Sequence, residues 1–287
     1  MRRALVIVNP VAGRGRGQRW LGRVVQGLRE GGIEAQPAVT SRPGDAREAA
    51  ERAGEHDLVA VAGGDGTLNE VLNGLEADRP VALLPLGTGN VLAKELRLPR
   101  SVGAFCRMVA RGRERALDLG AVNGRRFVSM VGAGFDAEVV ARLSAERQGA
   151  IRMARYARLI VGCLARYGAP RITVSVDGAA DAEAQGFALV SNVRSYGGPF
   201  CLAPDAVPDD GELDVCVLPR GGAVRYARAI LAFLLRCPGA SGTRWLRGRS
   251  VYLASAEPVR YQVDGDPGGL LPATVELCGR RVRFIVP

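Results

Sequence analysis

The chain has 287 residues, room for one large domain or two of ordinary size, with 47% hydrophobic and 24% charged residues in a soluble globular balance. Its formal net charge of +10 attracts anions in general, but aromatics are only 5% and no nucleic-acid module is recognisable, so nucleic acid is not an expected partner. No run of about 18 apolar residues could cross a membrane as a helix, the cysteines have neither zinc nor redox spacing, and a single histidine excludes a His-based triad, so a reduced, cytoplasmic protein is expected.

The opening apolar run at 4–8 stops at Asn9-Pro10, too short for the core of a signal peptide, and predicts a first buried strand. Helical periodicity then covers 18–30, 45–53, 68–75 and 90–96, and extended patterns cover 33–40, 57–62 and 81–85. This alternation predicts a parallel sheet covered on both faces, with ligands at the carboxyl ends of its strands. From residue 118 the pattern changes to short β-type segments at 118–122, 125–131, 172–176, 187–192, 213–218, 251–254, 259–263 and 274–277. Asn123-Gly124 and Asp177-Gly178 are hairpin dipeptides. Helical patterns near 137–148, 151–167 and 223–237 interrupt this strand-rich region, and 281–286 could add a strand to either domain.

Four loops fall where strands of the first region should end. They are Asn9-Pro10-Val11-Ala12-Gly13-Arg14-Gly15-Arg16-Gly17, whose two arginines also suit a triphosphate, Thr40-Ser41-Arg42-Pro43-Gly44-Asp45, Gly63-Gly64-Asp65-Gly66-Thr67-Leu68-Asn69-Glu70 and Pro85-Leu86-Gly87-Thr88-Gly89-Asn90. Glycines let backbone N–H groups reach a phosphate where a Cβ would intrude, and a helix start behind them favours an anion. Taken singly, each loop also reads as a surface turn or a helix cap. Four in succession point to a triphosphate, although the P-loop pattern ending in Lys-Ser/Thr is missing.

Gly132-Ala133-Gly134-Phe135-Asp136-Ala137 is a rival dinucleotide-type turn, without the acidic residue expected about 20 positions later. The acidic loop 203–214 suits a hard cation such as Mg²⁺ or is a solvated turn. Asp264-Gly265-Asp266 ends a strand in two carboxylates, either of which could take a proton from a hydroxyl; a plain Asp-Gly turn is the other reading.

Together with Asp118-Leu119-Gly120, these segments resemble the diacylglycerol kinase catalytic family, which includes bacterial lipid kinases and the sphingosine and ceramide kinases. The resemblance implies a three-layer α/β nucleotide-binding domain over 1–120, which 280–287 could complete, a β-sandwich-like substrate domain over 121–279, and a cleft between them. It implies an ATP site lined by Asn9, Pro10, Gly13, Thr40, Gly63, Gly64, Asp65, Gly66, Thr67, Asn69 and Thr88. Asp65 would hold the nucleotide's Mg²⁺, with Asp118 in the same charge network. Asp210 would hold a structural Mg²⁺ with the carbonyls of Val207 and Glu212. Asp266 stands where the family usually has a glutamate as proton acceptor, and its carboxylate sits about 1–1.5 Å further back. Asp264 and Asp65 are the alternative bases.

The implied activity is ATP- and Mg²⁺-dependent phosphorylation of a lipid hydroxyl, most readily a diacylglycerol. An NAD kinase-like enzyme and a non-catalytic lipid- or nucleotide-binding protein are the alternatives. Residues 151–167 and 224–236 mix arginines with apolar side chains, so peripheral contact with an anionic inner membrane face is expected, against the reading of ordinary domain helices. Oligomeric state is not readable from the sequence.

Overall fold

Five consecutive buried residues, Ala4 to Val8, place β1 (Arg2–Val8) inside a parallel sheet rather than at its rim. A computed structural model describes residues 1–76, 78–145, 159–163, 167–197, 200–218, 223–234, 239 and 242–287. The chain divides into two units, Met1–Leu117 with Arg280–Pro287, and Asp118–Gly279.

In the first unit β2 (Ile33–Val39), β1, β3 (Leu58–Gly63) and β4 (Val81–Pro85) are parallel neighbours in that order. Beyond β4 the sheet is completed by the end of the last strand, where Phe284 pairs with Val81. Helix α1 (Ala12–Glu30) packs with α5 (Val102–Arg111), and α2 (Asp45–Glu51) with α3 (Asp65–Gly74), giving two helix layers. A short helix, α4 (Val91–Glu95), follows β4. At the start of α1, Gly13, Arg14 and Gly15 take left-handed φ values of 61°, 60° and 80°, so regular helix begins only after them. Loops from adjacent strands are tied at one end of the sheet: Asn9 N–H donates to Ala62, Thr40 N–H to Val8 and Leu86 N–H to Gly63.

The second unit is a pair of sheets. One has the order β12 (Arg244–Gly248), β11 (Leu213–Val217), β10 (Phe187–Ser191), β7 (Met130–Gly134), β14 (Arg260–Val263), β15 (Asp266–Leu270), all antiparallel. The other contains β9 (Ala179–Gln185), β8 (Arg171–Val176), β13 (Ser250–Ala254) and the first half of β16 (Ala273–Ile285). Val131, Val190 and Val215 from one sheet share a core with Val174, Leu253 and Val275 from the other, the signature of a sandwich. The predicted hairpins form, joining β5 (Glu114–Val122) to β6 (Arg125–Phe127) and β8 to β9.

Some elements differ from expectation. The segment 125–131 breaks into β6 and β7, because the amides between them turn to a side chain from β14's end. Residues 274–277 and 281–286 are one continuous strand, β16. Helices α6 (Phe135–Ala145) and α7 (Ala223–Leu234) lie where periodicity puts them. Of 151–167, residues 159–163 are helical, and most of the rest lies outside the described residues, as do 146–148 and 235–237.

Candidate active site

The four loops of the first unit are stitched to one another. Asn9 Nδ2 donates to Thr67 Oγ1 at 3.2 Å, while Asn9 Oδ1 accepts the Val11 N–H. Gly13, at φ 61°, lets the first loop approach the fourth: a Cβ there would lie 2.8 Å from the Leu86 carbonyl oxygen. The third and fourth loops touch backbone to backbone, since a Cβ on Gly87 would fall 2.7 Å from the Gly64 Cα. On Gly63 it would meet Thr67 at 2.6 Å. Asp65 locks the same pair of loops: its carboxylate accepts the Asn90 N–H at 2.7 Å and the Val91 N–H at 2.8 Å.

Other expected site residues have more mixed surroundings. Thr67 and Asn69 are buried, and Asn69 accepts from the Asn73 side chain through its carbonyl. Gly66 and Pro10 are half-buried, and Thr88 is exposed. Thr40 Oγ1 reaches the Val8 carbonyl at 3.4 Å. The loop at 40–45 is not closed by a side-chain cap; Gly44 occupies the cap position. Instead Asp45 accepts from the Ser41 amide and hydroxyl and from the Arg42 amide, which hold its carboxyl well below the usual range. Glu70, the last residue of the glycine motif, accepts the amides of Gly44 and Ala46, a tie that sequence spacing does not reveal.

In the second unit the two acids of the Asp264-Gly265-Asp266 turn separate. Asp264 is buried, sits at φ 50°, and accepts the amides of Val128, Ser129 and Met130 at 2.9–3.0 Å. Asp266 is half-buried and faces Arg125, whose Nη2 lies 3.5 Å away and whose Nη1 donates to Pro267.

The acidic loop is built around Asp118, whose amide donates to Pro208 and whose carboxylate accepts the Gly211 N–H at 2.7 Å. Arg247 forms ion pairs with Asp210, Glu212 and Asp214. Burial chiefly, then the acids around it, push the Asp214 carboxyl up to about 6 against the pull of Arg247. Asp214 Oδ2 is a buried oxygen without a hydrogen-bond donor. Hard oxygens with surplus negative charge fit a hard divalent cation. Asp210 would have to exchange Arg247 for it. Among the described residues no three His, Cys, Asp or Glu side chains converge as a ready-made metal cage.

Behind β7 lies an apolar pocket of about 780 Å³ including its mouth, lined by Phe135, Val139, Phe187, Leu218, Ala229 and Phe233 among others. Asp136 forms part of its wall. The carboxylate accepts from Gln262 Nε2 at 3.1 Å, the Tyr196 hydroxyl at 3.2 Å and the Ala137 amide, yet burial pushes it up to about 6. The glycines of the Gly132-x-Gly134 turn serve this arrangement rather than a dinucleotide: a Cβ on Gly132 would lie 1.9 Å from Asp136 Oδ2, and one on Gly134 would strike the Gly186 carbonyl. The glycine spacing marks the turn but not the role of Asp136, whose partner Gln262 is 126 residues away.

Residues 3–122 match the family model of the diacylglycerol kinase catalytic domain, and residues 129–286 match the YegS C-terminal NAD kinase beta sandwich-like domain. A diacylglycerol kinase of Bacillus subtilis (strain 168) is 30% identical, with 100% of this chain and 97% of that protein covered. A Pseudomonas aeruginosa (strain UCBPP-PA14) protein named "Probable lipid kinase YegS-like" is 34% identical over 91% of this chain and 85% of its own length. A crystal structure of a diacylglycerol kinase from Bacillus anthracis (strain Sterne) superimposes with a TM-score of 0.81 at 25% identity, covering 100% of this chain and 97% of that one.

Proposed function

The chain belongs to the diacylglycerol kinase catalytic-domain family and is a lipid kinase, and from that premise we propose that it transfers the γ-phosphoryl group of ATP, with Mg²⁺, to the hydroxyl of a diacylglycerol-type lipid. The triphosphate lies on the loops carrying Asn9, Pro10, Gly13, Thr40, Gly63, Gly64, Gly66, Thr67, Asn69 and Thr88, with the first-turn amides of α3 directed at it. Asp65 is the nucleotide-side carboxylate for Mg²⁺, which offsets phosphate charge when bound. Asp210, with the carbonyls of Val207 and Glu212, holds a second, structural Mg²⁺.

In the reaction the lipid hydroxyl oxygen bonds to the γ-phosphorus, the bond to the β–γ bridging oxygen breaks, and ADP leaves. The hydroxyl proton passes to Asp266. Asp264 and Asp65 are weaker candidates for that role, since backbone amides already occupy both oxygens of each.

The observation that favours a lipid acceptor over a dinucleotide is the apolar pocket, whose aromatic and aliphatic wall is interrupted only by Asp136, Tyr196 and Thr243 among the described residues. Helix α7 lines that pocket through Ala229 and Phe233 and turns Val224, Arg228 and Leu231 outward, which suits peripheral contact with an anionic leaflet at the inner membrane face. Among the described residues no helix is long and apolar enough to cross a membrane.

The test is incubation with γ-labelled ATP, Mg²⁺ and either diacylglycerol vesicles, a fractionated lipid extract or NAD. Label in diacylglycerol is expected. Label in another lipid would replace the acceptor, label in NAD would overturn the lipid reading, and no transfer to any of them would favour a binding protein. Sedimentation with acidic vesicles, weakened by salt, is expected; none at low salt would remove the membrane contact.

A further inference from the structure

Lys94 is the only lysine among the chain's 39 lysine and arginine residues. The glycine loops 63–69 and 85–90 contain no cation of their own, and Lys94 is the first one after them. It is half-buried on α4, the helix whose opening amides are held by Asp65. Its own amide donates to the Asn90 carbonyl, which fixes it one turn along from that clasp. Side chains at this spacing share a helix face and lean toward the helix start, here toward Asp65. Lys94 and the Asp65 carboxylate lie close enough for their opposite charges to attract.

We propose that Lys94 is a phosphate-binding residue of this kinase, its ammonium meeting the terminal phosphates of ATP beside Asp65. The proposal rests on the nucleotide reading above. An ammonium suits the place because it is a compact charge with three rotatable donors on a flexible stem, and it can follow a phosphate that moves during transfer. In P-loop nucleotidases a lysine supplied at the glycine loop does the corresponding work. Here the charge arrives from the helix behind the fourth loop.

A sole ε-amine can be read directly. An amine-reactive acyl-phosphate derivative of ATP should label Lys94 of the wild-type protein, found by peptide mapping, and excess ATP should suppress the label. Lys94→Met should weaken ATP binding, measured by calorimetry without lipid, about 10- to 100-fold, the size of one lost charge-assisted contact. Its unfolding midpoint should stay near wild type, and Lys94→Arg should recover part of the loss. Label confined to positions other than Lys94, or a folded Lys94→Met with wild-type affinity, would overturn the proposal. A wild-type protein that binds no ATP in the calorimeter would instead bring down the nucleotide reading with it.

Discussion

Asp264 and Asp266 are two residues apart and have opposite surroundings. Three buried amides depend on Asp264, so Asp264→Ala should cost at least about 3 kcal/mol of stability by leaving them without an acceptor. Asp266→Ala should change stability by less than about 1 kcal/mol, since its ion pair is partly solvated, while abolishing turnover. Urea denaturation with a parallel kinase assay separates the two. The resemblance put Asp266 ahead of Asp264 as the base, but the turn itself does not reveal their opposite surroundings, because the amides that hold Asp264 come from residues 128–130, 134 or more positions away. Asp136 carries a different signature. Its carboxyl is raised to about 6 in the folded protein, so the native state holds the proton more tightly than the unfolded chain. That contribution is complete below about pH 4 and is lost as pH rises through about 6, on the order of 3 kcal/mol in all. Asp136→Asn should remove this slope between pH 4 and 7 in urea titrations. Asp214 titrates in the same range and remains in both proteins, so the difference isolates Asp136.

Elements with strong internal patterning were legible in the sequence; those defined by a neighbour were not. The strand at 81–85 is a contiguous apolar run and the one at 213–217 is apolar except for Asp214; both form as expected, each buried throughout. Helix α5 escaped notice although Ser101 caps its start and Gly112 closes its end in the left-handed conformation, so the signal was present. Strand β15 contains Pro267-Gly268-Gly269, a composition that argues for a turn; it forms at a sheet edge, paired to β14 across a bulge. The contact of the third and fourth loops is likewise a property of two elements at once. Gly87→Ala should cost about 1–3 kcal/mol, because the new methyl meets the Gly64 backbone and neither strand end can retreat. Gly15→Ala is the control, with a positive φ but nothing within 4 Å of its Cβ, and should cost about 1 kcal/mol. Thermal unfolding of both variants checks the difference, and only Gly87→Ala should also lose ATP affinity.

The whole molecule is discontinuous in sequence: residues 280–287 belong to the unit made by residues 1–117. Phe284 and Ile285 are fully buried there, and Arg283 pairs with Asp78 and Glu114 at its surface. A chain ended after Gly279 would forfeit roughly 3–6 kcal/mol from those two side chains, much of the stability of an ordinary domain. Limited proteolysis of such a truncation should cut within residues 1–117 at concentrations that leave the full chain intact. The same arrangement constrains biosynthesis. When a ribosome has delivered every glycine loop, the edge of β4 still lacks its neighbour, because the residues that cover it are translated after the entire second unit. The first unit therefore cannot close its sheet while it is being synthesised; the last neighbour of β4 arrives only with the final strand.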